Sequence, residues 1–259
     1  MTENPVLLTR DGDVAIVTLN RPDRLNAMSG ALLSGALAAV NEAARDARAL
    51  VLTGAGRAFC SGADLQGDAL VNAAGDAGQV VEAGLNPLLE RLAGLPIPVI
   101  VAVNGAAAGA GAGLALAGDL TLMARSAYFL LAFAKVGLVP DAGLSFHLPR
   151  LIGRQRAMAL MLLAERLPAE TAAQWGLVHR MVEDAALLDE ALILARQLAA
   201  GPTRAYALIR ETMRRSLDAT FTEALRFERE GQRAAGLTED FAEGVAAFTE
   251  KRKPAFRGR

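Results

Sequence analysis

Between Val14 and Asn20 the chain reads VAIVTLN, β-branched and alternating, which predicts a strand over 14–20. From Ser29 to Arg45 apolar positions recur at helical spacing behind a serine suited to capping, and predict a helix. ALVLTG at 49–54 is a short continuous apolar run, a buried strand ended by the Gly-rich turn GAGRAFCSGADL. Residues 66–80 are small, polar and Gly-containing and predict a loop, after which a helix runs to about Leu92. PVIVAVNG at 98–105 predicts the next strand, and AAAGAGAGLALAG behind it a helix of the smallest residues. DLTLMA and AYFLL supply two further strands, and beyond Leu148 the pattern is almost wholly helical to Phe248. Strands alternating with helices argue an α/β fold with a parallel-type sheet, and a helical tail argues a second layer or an assembly surface. No repeat of fixed period and no Pro/Ser linker divides the chain into independent domains.

Composition narrows the classes of function. The chain has 259 residues, 53% hydrophobic and 21% charged, enough apolar mass for a large core. Lys and Arg number 27 against 28 Asp and Glu, so there is no basic excess to suggest nucleic acid or an anionic membrane as a partner. The terminal KRKPAFRGR is a local basic run, read as a solvated end. One cysteine, Cys60, rules out an intrachain disulfide or a Cys-rich metal site. Two histidines, His147 and His179, are too few for most transition-metal sites, so no metal or separate cofactor is expected. The N-terminal residues lack a basic region followed by an apolar run, and the apolar stretch from Pro98 to Leu116 is broken by Gly and Asn. A soluble cytoplasmic protein is the expectation.

Three segments carry candidate chemistry. GRAFCSGADL and NGAAAGAGAG each place small residues between a strand and a helix start, where ligand atoms can approach unpaired N–H groups. Tight strand–helix packing would explain either loop alone. A dinucleotide fingerprint does not fit the second, because its third glycine is one place early and no acidic residue lies between Leu120 and Val139. The third segment, KVGLVPDAGLSFHLP at 135–149, sets a lone carboxylate, Asp141, in oily surroundings. An isolated buried carboxylate is costly, so it must be hydrogen-bonded, open to a cleft, or used. Local sequence alone favours a helix N-cap for it. Cys60 reads as a small buried thiol, His147 as a helix residue that packs or borders the pocket, His179 as a structural strand residue and Trp175 as core.

Taken together, NRPDRLNAM (20–28), AFCSGADL (58–65), PIPVIVAVNGAAAGAGAGLALAGDL (96–120), VGLVPDAG (136–143), AAQWGLVHRMV (172–182) and EGVAAFTEKRKPAF (243–256) resemble the crotonase (enoyl-CoA hydratase/isomerase) superfamily, in order along nearly the whole chain. The resemblance implies the crotonase fold, a ββα spiral core over 1–195 and a C-terminal helical subdomain over 196–259 that packs a homotrimer or a hexamer built as a dimer of trimers. It implies an acyl-CoA thioester as substrate, with coenzyme A part of the substrate rather than a cofactor. Two backbone N–H groups forming an oxyanion hole fall on Ala63 and Ala110. Arg24, Leu25, Ala27, Asp64, Leu65, Gly109, Phe133 and Leu138 match positions lining the coenzyme A and acyl groove, and Lys251 the C-terminal lysine that reaches the phosphates.

Hydratases of the superfamily activate water with two glutamates, and the matching positions here are Gly113 and Phe133. Isomerases resembling the ring-epoxide phenylacetyl-CoA branch carry an Asp after the Pro of the V-G-L-V-P segment, and that position is Asp141. Those relatives usually have Gly-Gly after it, where this chain has Gly143-Leu144, a bulk expected to narrow the acyl pocket. Burial among Phe133, Val139 and Leu144 is expected to raise the pKa of Asp141. The resemblance therefore implies an enoyl-CoA isomerase of fatty acid or phenylacetate metabolism. Hydratase, thioester hydrolase or dehalogenase chemistry is the alternative, and a non-catalytic RNA-binding member is opposed by the neutral charge balance.

Overall fold

The computed structural model describes residues 4–64 and 76–259. Strand β1 (Val6–Asp11) turns through Gly12 into β2 (Val14–Leu19), and the two pair antiparallel. The sequence reading missed β1. Only Val6 of it is buried, so its apolar signal is weak, and the left-handed Gly12 (φ +57) that closes the hairpin was the available clue. Ser29 caps α1 (Gly30–Ala43), its side chain accepting from the Leu32 N–H at 3.3 Å. Next come β3 (Ala49–Gly54) and β4 (Ala58–Cys60). The short helix α2 (Ala77–Val80) continues through a π turn (Val81–Leu85) into α3 (Asn86–Ala93), so the expected 66–80 loop is helical over its last four residues; positions 66–75 lie outside the described residues.

Strands β5 (Val99–Val103) and β6 (Ala106–Ala108) lead into α4 (Ala110–Ala115). The helix expected over AAAGAGAGLALAG is thus shortened, because its first three alanines pair as a strand with β4 and β8. After β7 (Leu120–Ala124) and β8 (Tyr128–Leu130) a 3-10 turn (Ala132–Val136) carries the chain to α5 (Leu144–Leu163), which is broken at Gly153. Beyond Leu148 the chain is not wholly helical: β9 (Arg166–Pro168) and β10 (Arg180–Val182) flank α6 (Ala169–Gln174). Four helices follow, α7 (Leu187–Ala199), α8 (Thr203–Ser216), α9 (Phe221–Ala235) and α10 (Glu239–Glu250).

The described residues form two sheets, a six-stranded one ordered β1-β2-β3-β5-β7-β10 and a four-stranded one ordered β4-β6-β8-β9. Successive strand pairs divide between them: β3, β5 and β7 are parallel neighbours in the large sheet, while β4, β6 and β8 are parallel neighbours in the small one. Each strand–strand step advances the chain one position along both sheets, which makes a spiral rather than a flat doubly wound sheet. Fully buried Leu50, Leu52, Ile100, Leu114 and Leu122 fill its interior. Each contributes about 1.5–3 kcal/mol by leaving water.

The last helices are tied to this core by two arginines. Arg210 on α8 donates to both oxygens of Asp119 (2.7 and 2.8 Å), to the Leu92 carbonyl (2.8 Å) and to the Leu95 carbonyl. Arg48 donates to Thr203 Oγ1, the Gly201 carbonyl and the Phe256 carbonyl. The outer faces of α8 to α10 remain apolar and open, with Met213 61%, Phe221 79% and Phe248 88% exposed. No described helix is long and apolar enough to cross a membrane.

Candidate active site

The site begins at the turn after β2. Leu25 and Asn26 both adopt left-handed backbone (φ +50 and +55), a conformation that Asn tolerates and Leu resists. The fully buried Asn26 side chain holds it there. Its Nδ2 donates to the carbonyls of Ala55 (2.9 Å) and Ala58 (2.8 Å), and its Oδ1 accepts from the Arg21 N–H (2.8 Å). The sequence reading gave Asn26 no role of its own within the 24–27 turn, although an asparagine between Leu25 and Ala27 in a Pro-containing turn was a signal for it.

This turn lays Leu25 to Met28 alongside the loop after β4. Ser61 N–H donates to the Leu25 carbonyl (3.0 Å), Met28 N–H to the Gly62 carbonyl (2.8 Å) and Asp64 N–H to the Met28 carbonyl (3.1 Å). Gly62 is left-handed (φ +91), and a methyl group there would stand 2.8 Å from the Ala108 carbonyl oxygen and 3.5 Å from Ala110 N. Glycine at 62 thus lets the two small-residue loops close on each other. Gly109 (φ +51) then turns the chain into α4, with the Phe133 ring 3.8 Å from where a Gly109 methyl would be. Among the described residues neither the Ala63 nor the Ala110 N–H finds a main-chain acceptor.

Asp141 is tied to α4 through its neighbour. Ala142, itself left-handed (φ +52) and buried, packs so closely on Gly113 that a Cβ at 113 would overlap its methyl group and carbonyl oxygen. Gly113 lies one helical turn beyond Ala110. The Asp141 carboxyl is partly buried. Its Oδ1 is, among the described residues, the one fully buried side-chain N or O without a hydrogen-bond partner. Burial pushes the Asp141 pKa up to about 6, opposed only by its own backbone N–H. The helix-cap reading fails, because Gly143 occupies the N-cap of α5 and no side chain caps it.

The surroundings of Asp141 differ in part from expectation. Phe133 and Leu144 are buried, but Val139 is 80% exposed and does not wall off the carboxyl. Leu144 is fully buried within the main apolar core. Asp64 pairs with Arg21 (3.0 Å), a partner that the sequence reading did not assign. Ala27 is buried beside this pair, Leu25 is half-buried, and Arg24 is exposed on the outside of the turn. Leu138 is 44% exposed, and Leu65 lies outside the described residues. Lys251 sits exposed at the left-handed C-cap of α10.

The remaining candidates lie elsewhere in the packing or at the surface. Cys60 is buried, its thiol donates to the Asn26 carbonyl (3.1 Å), and burial pushes its pKa up to about 12. His147 packs against Gly143 and edge-on to Phe146, its pKa lowered by burial and then by the charge of Arg150. His179 is exposed just before β10, not within it, and Trp175 lies at the core margin beneath Arg156.

Residues 9–259 match the sequence model of the family described as Enoyl-CoA hydratase/isomerase. The chain belongs to the enoyl-CoA hydratase/isomerase family. It is 48% identical to the 1,2-epoxyphenylacetyl-CoA isomerase of Escherichia coli (strain K12), over 95% of both chains. To the Rhodobacter capsulatus protein named "Probable enoyl-CoA hydratase" it is 44% identical, again over 95% of both. Among solved structures, an enoyl-CoA hydratase from Polaromonas sp. JS666 superposes with a TM-score of 0.90 at 35% identity, over 97% of this chain and 99% of that one. The crotonase fold expected from sequence is therefore present. Within this family, the first of the two positions matched to hydratase glutamates is Gly113, where the backbone of Ala142 takes up the side-chain space. The second is Phe133, whose ring lies against Gly109.

Proposed function

We propose that this member of the family is an isomerase that moves a double bond in an acyl-CoA thioester, with Asp141 as the acid and base. The observation that carries the reading is the buried, unpartnered Oδ1 of Asp141 beside α4, in a chain with no carboxylate at position 113 or 133. Adding water requires groups to hold and deprotonate it. Shifting a double bond from C3–C4 to C2–C3 requires only that one base take a proton from C2 and return one to C4. The C2–H electron pair becomes part of a dienolate, and the thioester oxygen takes up the negative charge. The N–H groups of Ala63 and Ala110 are assigned to that oxygen. Each such donor contributes about 2.7–4 kcal/mol, and a positioned acid/base roughly 100- to 10,000-fold, so neither part is dispensable. The likeness to an isomerase acting on 1,2-epoxyphenylacetyl-CoA supports the same branch.

Arg24, Leu25, Ala27 and Leu65 are assigned to the coenzyme A groove, Gly109, Phe133 and Leu138 to the acyl side, and Lys251 to the phosphates of the coenzyme across a subunit contact. The open apolar faces of α8 to α10 support a homotrimer or hexamer, to be measured by light scattering on the eluting protein. No separate cofactor enters the reaction. The deciding experiment is Asp141→Asn with a 3-enoyl-CoA, followed by conjugated 2-enoyl product. Turnover is expected to fall at least 100-fold with substrate affinity little changed. Undiminished turnover removes Asp141 from the mechanism. Relatives named as hydratases keep hydration as the second reading, and formation of a 3-hydroxyacyl-CoA from a 2-enoyl-CoA would establish it.

A further inference from the structure

We propose that Arg21 is a positioning residue that aims and polarises the Ala63 N–H through a relay of two peptide units. This rests on the reading of Ala63 as an oxyanion donor. Arg21 NH1 donates to the Ala27 carbonyl at 2.6 Å and to Asp64 Oδ2 at 3.0 Å. The Ala27 carbonyl belongs to the Ala27–Met28 peptide, and a trans peptide points its N–H opposite to its carbonyl. Fixing the Ala27 oxygen on Arg21 therefore fixes the direction of the Met28 N–H, which donates to the Gly62 oxygen at 2.8 Å. The same geometry repeats in the Gly62–Ala63 peptide. With the Gly62 oxygen held by Met28, the Ala63 N–H points away from the 25–28 segment and stays free of main-chain acceptors among the described residues. Asp64 N–H bonded to the Met28 carbonyl at 3.1 Å closes the other side of Ala63, so the peptide cannot rotate without breaking the bridge.

The relay has an electrical consequence as well as a geometric one. Hydrogen bonds in series polarise one another, each strengthening the next. Here a guanidinium cation stands at one end, the Ala27–Met28 and Gly62–Ala63 peptides follow in line, and the Ala63 N–H is the last donor. The cation draws electron density along the series and makes that N–H a stronger donor to a developing oxyanion. Asp64 holds the guanidinium, and the pair is only 24% and 16% exposed, so solvent does not dissipate the arrangement. Asp64 thus acts on the reaction through Arg21 rather than as a direct ligand of the coenzyme.

The test uses butanoyl-CoA, a saturated thioester with no double bond to shift, isotopically labelled at its carbonyl carbon, and reads its carbonyl stretch by infrared difference spectroscopy. The wild type is expected to lower that frequency on binding, and Arg21→Gln to lose at least half of the downshift. Turnover of a 3-enoyl-CoA should fall about 10- to 100-fold in kcat with KM within about threefold, because one donor is misaimed and not removed. Asp64→Asn, which keeps Arg21, should move both readouts in the same direction, and it decides the matter should Arg21→Gln not fold. A full wild-type downshift in the folded variants overturns the proposal. So does a raised KM with unchanged kcat, which would make the pair a binding surface. Asp141→Asn should keep the downshift while losing turnover. If the wild type shows the downshift and its dependence on Arg21 but fails to isomerise, the proposed reaction falls and this inference stands; no downshift in the wild type overturns both.

Discussion

Replacing Gly113 by alanine tests how the site is built. A methyl group at 113 would lie 3.0 Å from the carbonyl carbon of Ala142, and its methyl carbon and carbonyl oxygen would be nearer still. Carbon atoms at rest sit about 3.5–4.0 Å apart, so α4 or the 141–143 turn must retreat by about 1 Å. Neither is free to yield cheaply, since Gly113 and Ala142 are both buried and the obstructing atoms are backbone. Overpacking of this kind costs about 1–3 kcal/mol, or roughly 2–12 °C in Tm for a chain of this size. The functional loss should be larger, because the turn that moves carries Asp141 and the helix that moves carries Ala110. A displacement of about 1 Å in reacting groups is worth roughly 100-fold in rate. Calorimetry and 3-enoyl-CoA turnover on Gly113→Ala measure the two effects. Gly30→Ala serves as the control, since a Cβ there meets nothing within 4 Å and α1 gains a better helix former. By the same reasoning Gly113→Glu, which restores a hydratase-type side chain, should lose activity without gaining hydration. Wild-type Tm and kcat in Gly113→Ala would refute the claim that backbone fills this space.

Three further outcomes follow from the same geometry. With the Asp141 pKa pushed up to about 6, the isomerisation rate should rise with pH through an inflexion near 6 and level off above it; His147→Gln should leave that inflexion in place, and its disappearance would transfer the titration to His147. An aspartate whose pKa rises on folding lends most stability below about 3.8 and loses it as pH climbs to about 6, so Asp141→Asn should stabilise the protein at pH 8 relative to pH 4. The upward displacement from 3.8 to about 6 corresponds to about 3 kcal/mol, discounted to about 1–2 for a carboxyl partly open to water, and paired melts at the two pH values measure it. Arg210→Ala strands Asp119 and the Leu92 and Leu95 carbonyls, with an expected loss of about 3 kcal/mol, or roughly 6–12 °C in Tm; an unchanged Tm would show that α8 does not depend on this anchor.

Strands with continuous or alternating apolar runs were legible from sequence, as 49–54 shows by matching β3 residue for residue. The run AAAGAGAGLALAG was misjudged because small residues carry neither helical nor strand periodicity. There the deciding force is tertiary: Ala106–Ala108 pairs with neighbours from β4 and β8 that are distant in sequence. Asp141 stood out by contrast with its oily flanks, and so did the loops holding Ala63 and Ala110. Asn26, Arg21 and the pairing of Arg21 with Asp64 did not, because each works through partners that only the fold brings near. Val139 failed for the opposite reason, since an apolar residue beside a buried one in sequence need not share its burial.

The electrostatics of Asp141 fit a proton carrier better than a water activator. An ordinary buried aspartate acquires an arginine, a lysine or a set of N–H donors, and each of these lowers its pKa and makes it a weaker base. Among the described residues Asp141 has no such ion pair and only its own N–H opposes the effect of burial. At a pKa of about 6 against 3.8 it is about a hundredfold more basic than a solvated aspartate, yet still mostly ionised at neutral pH. A second carboxylate nearby would push one of the two groups to stay protonated, which suits a pair that divides acid and base duties over a bound water. In the isomerisation proposed above, a single carboxyl without a partner would do both duties in turn, with the carbon acid of the substrate supplying the proton it first takes and later returns.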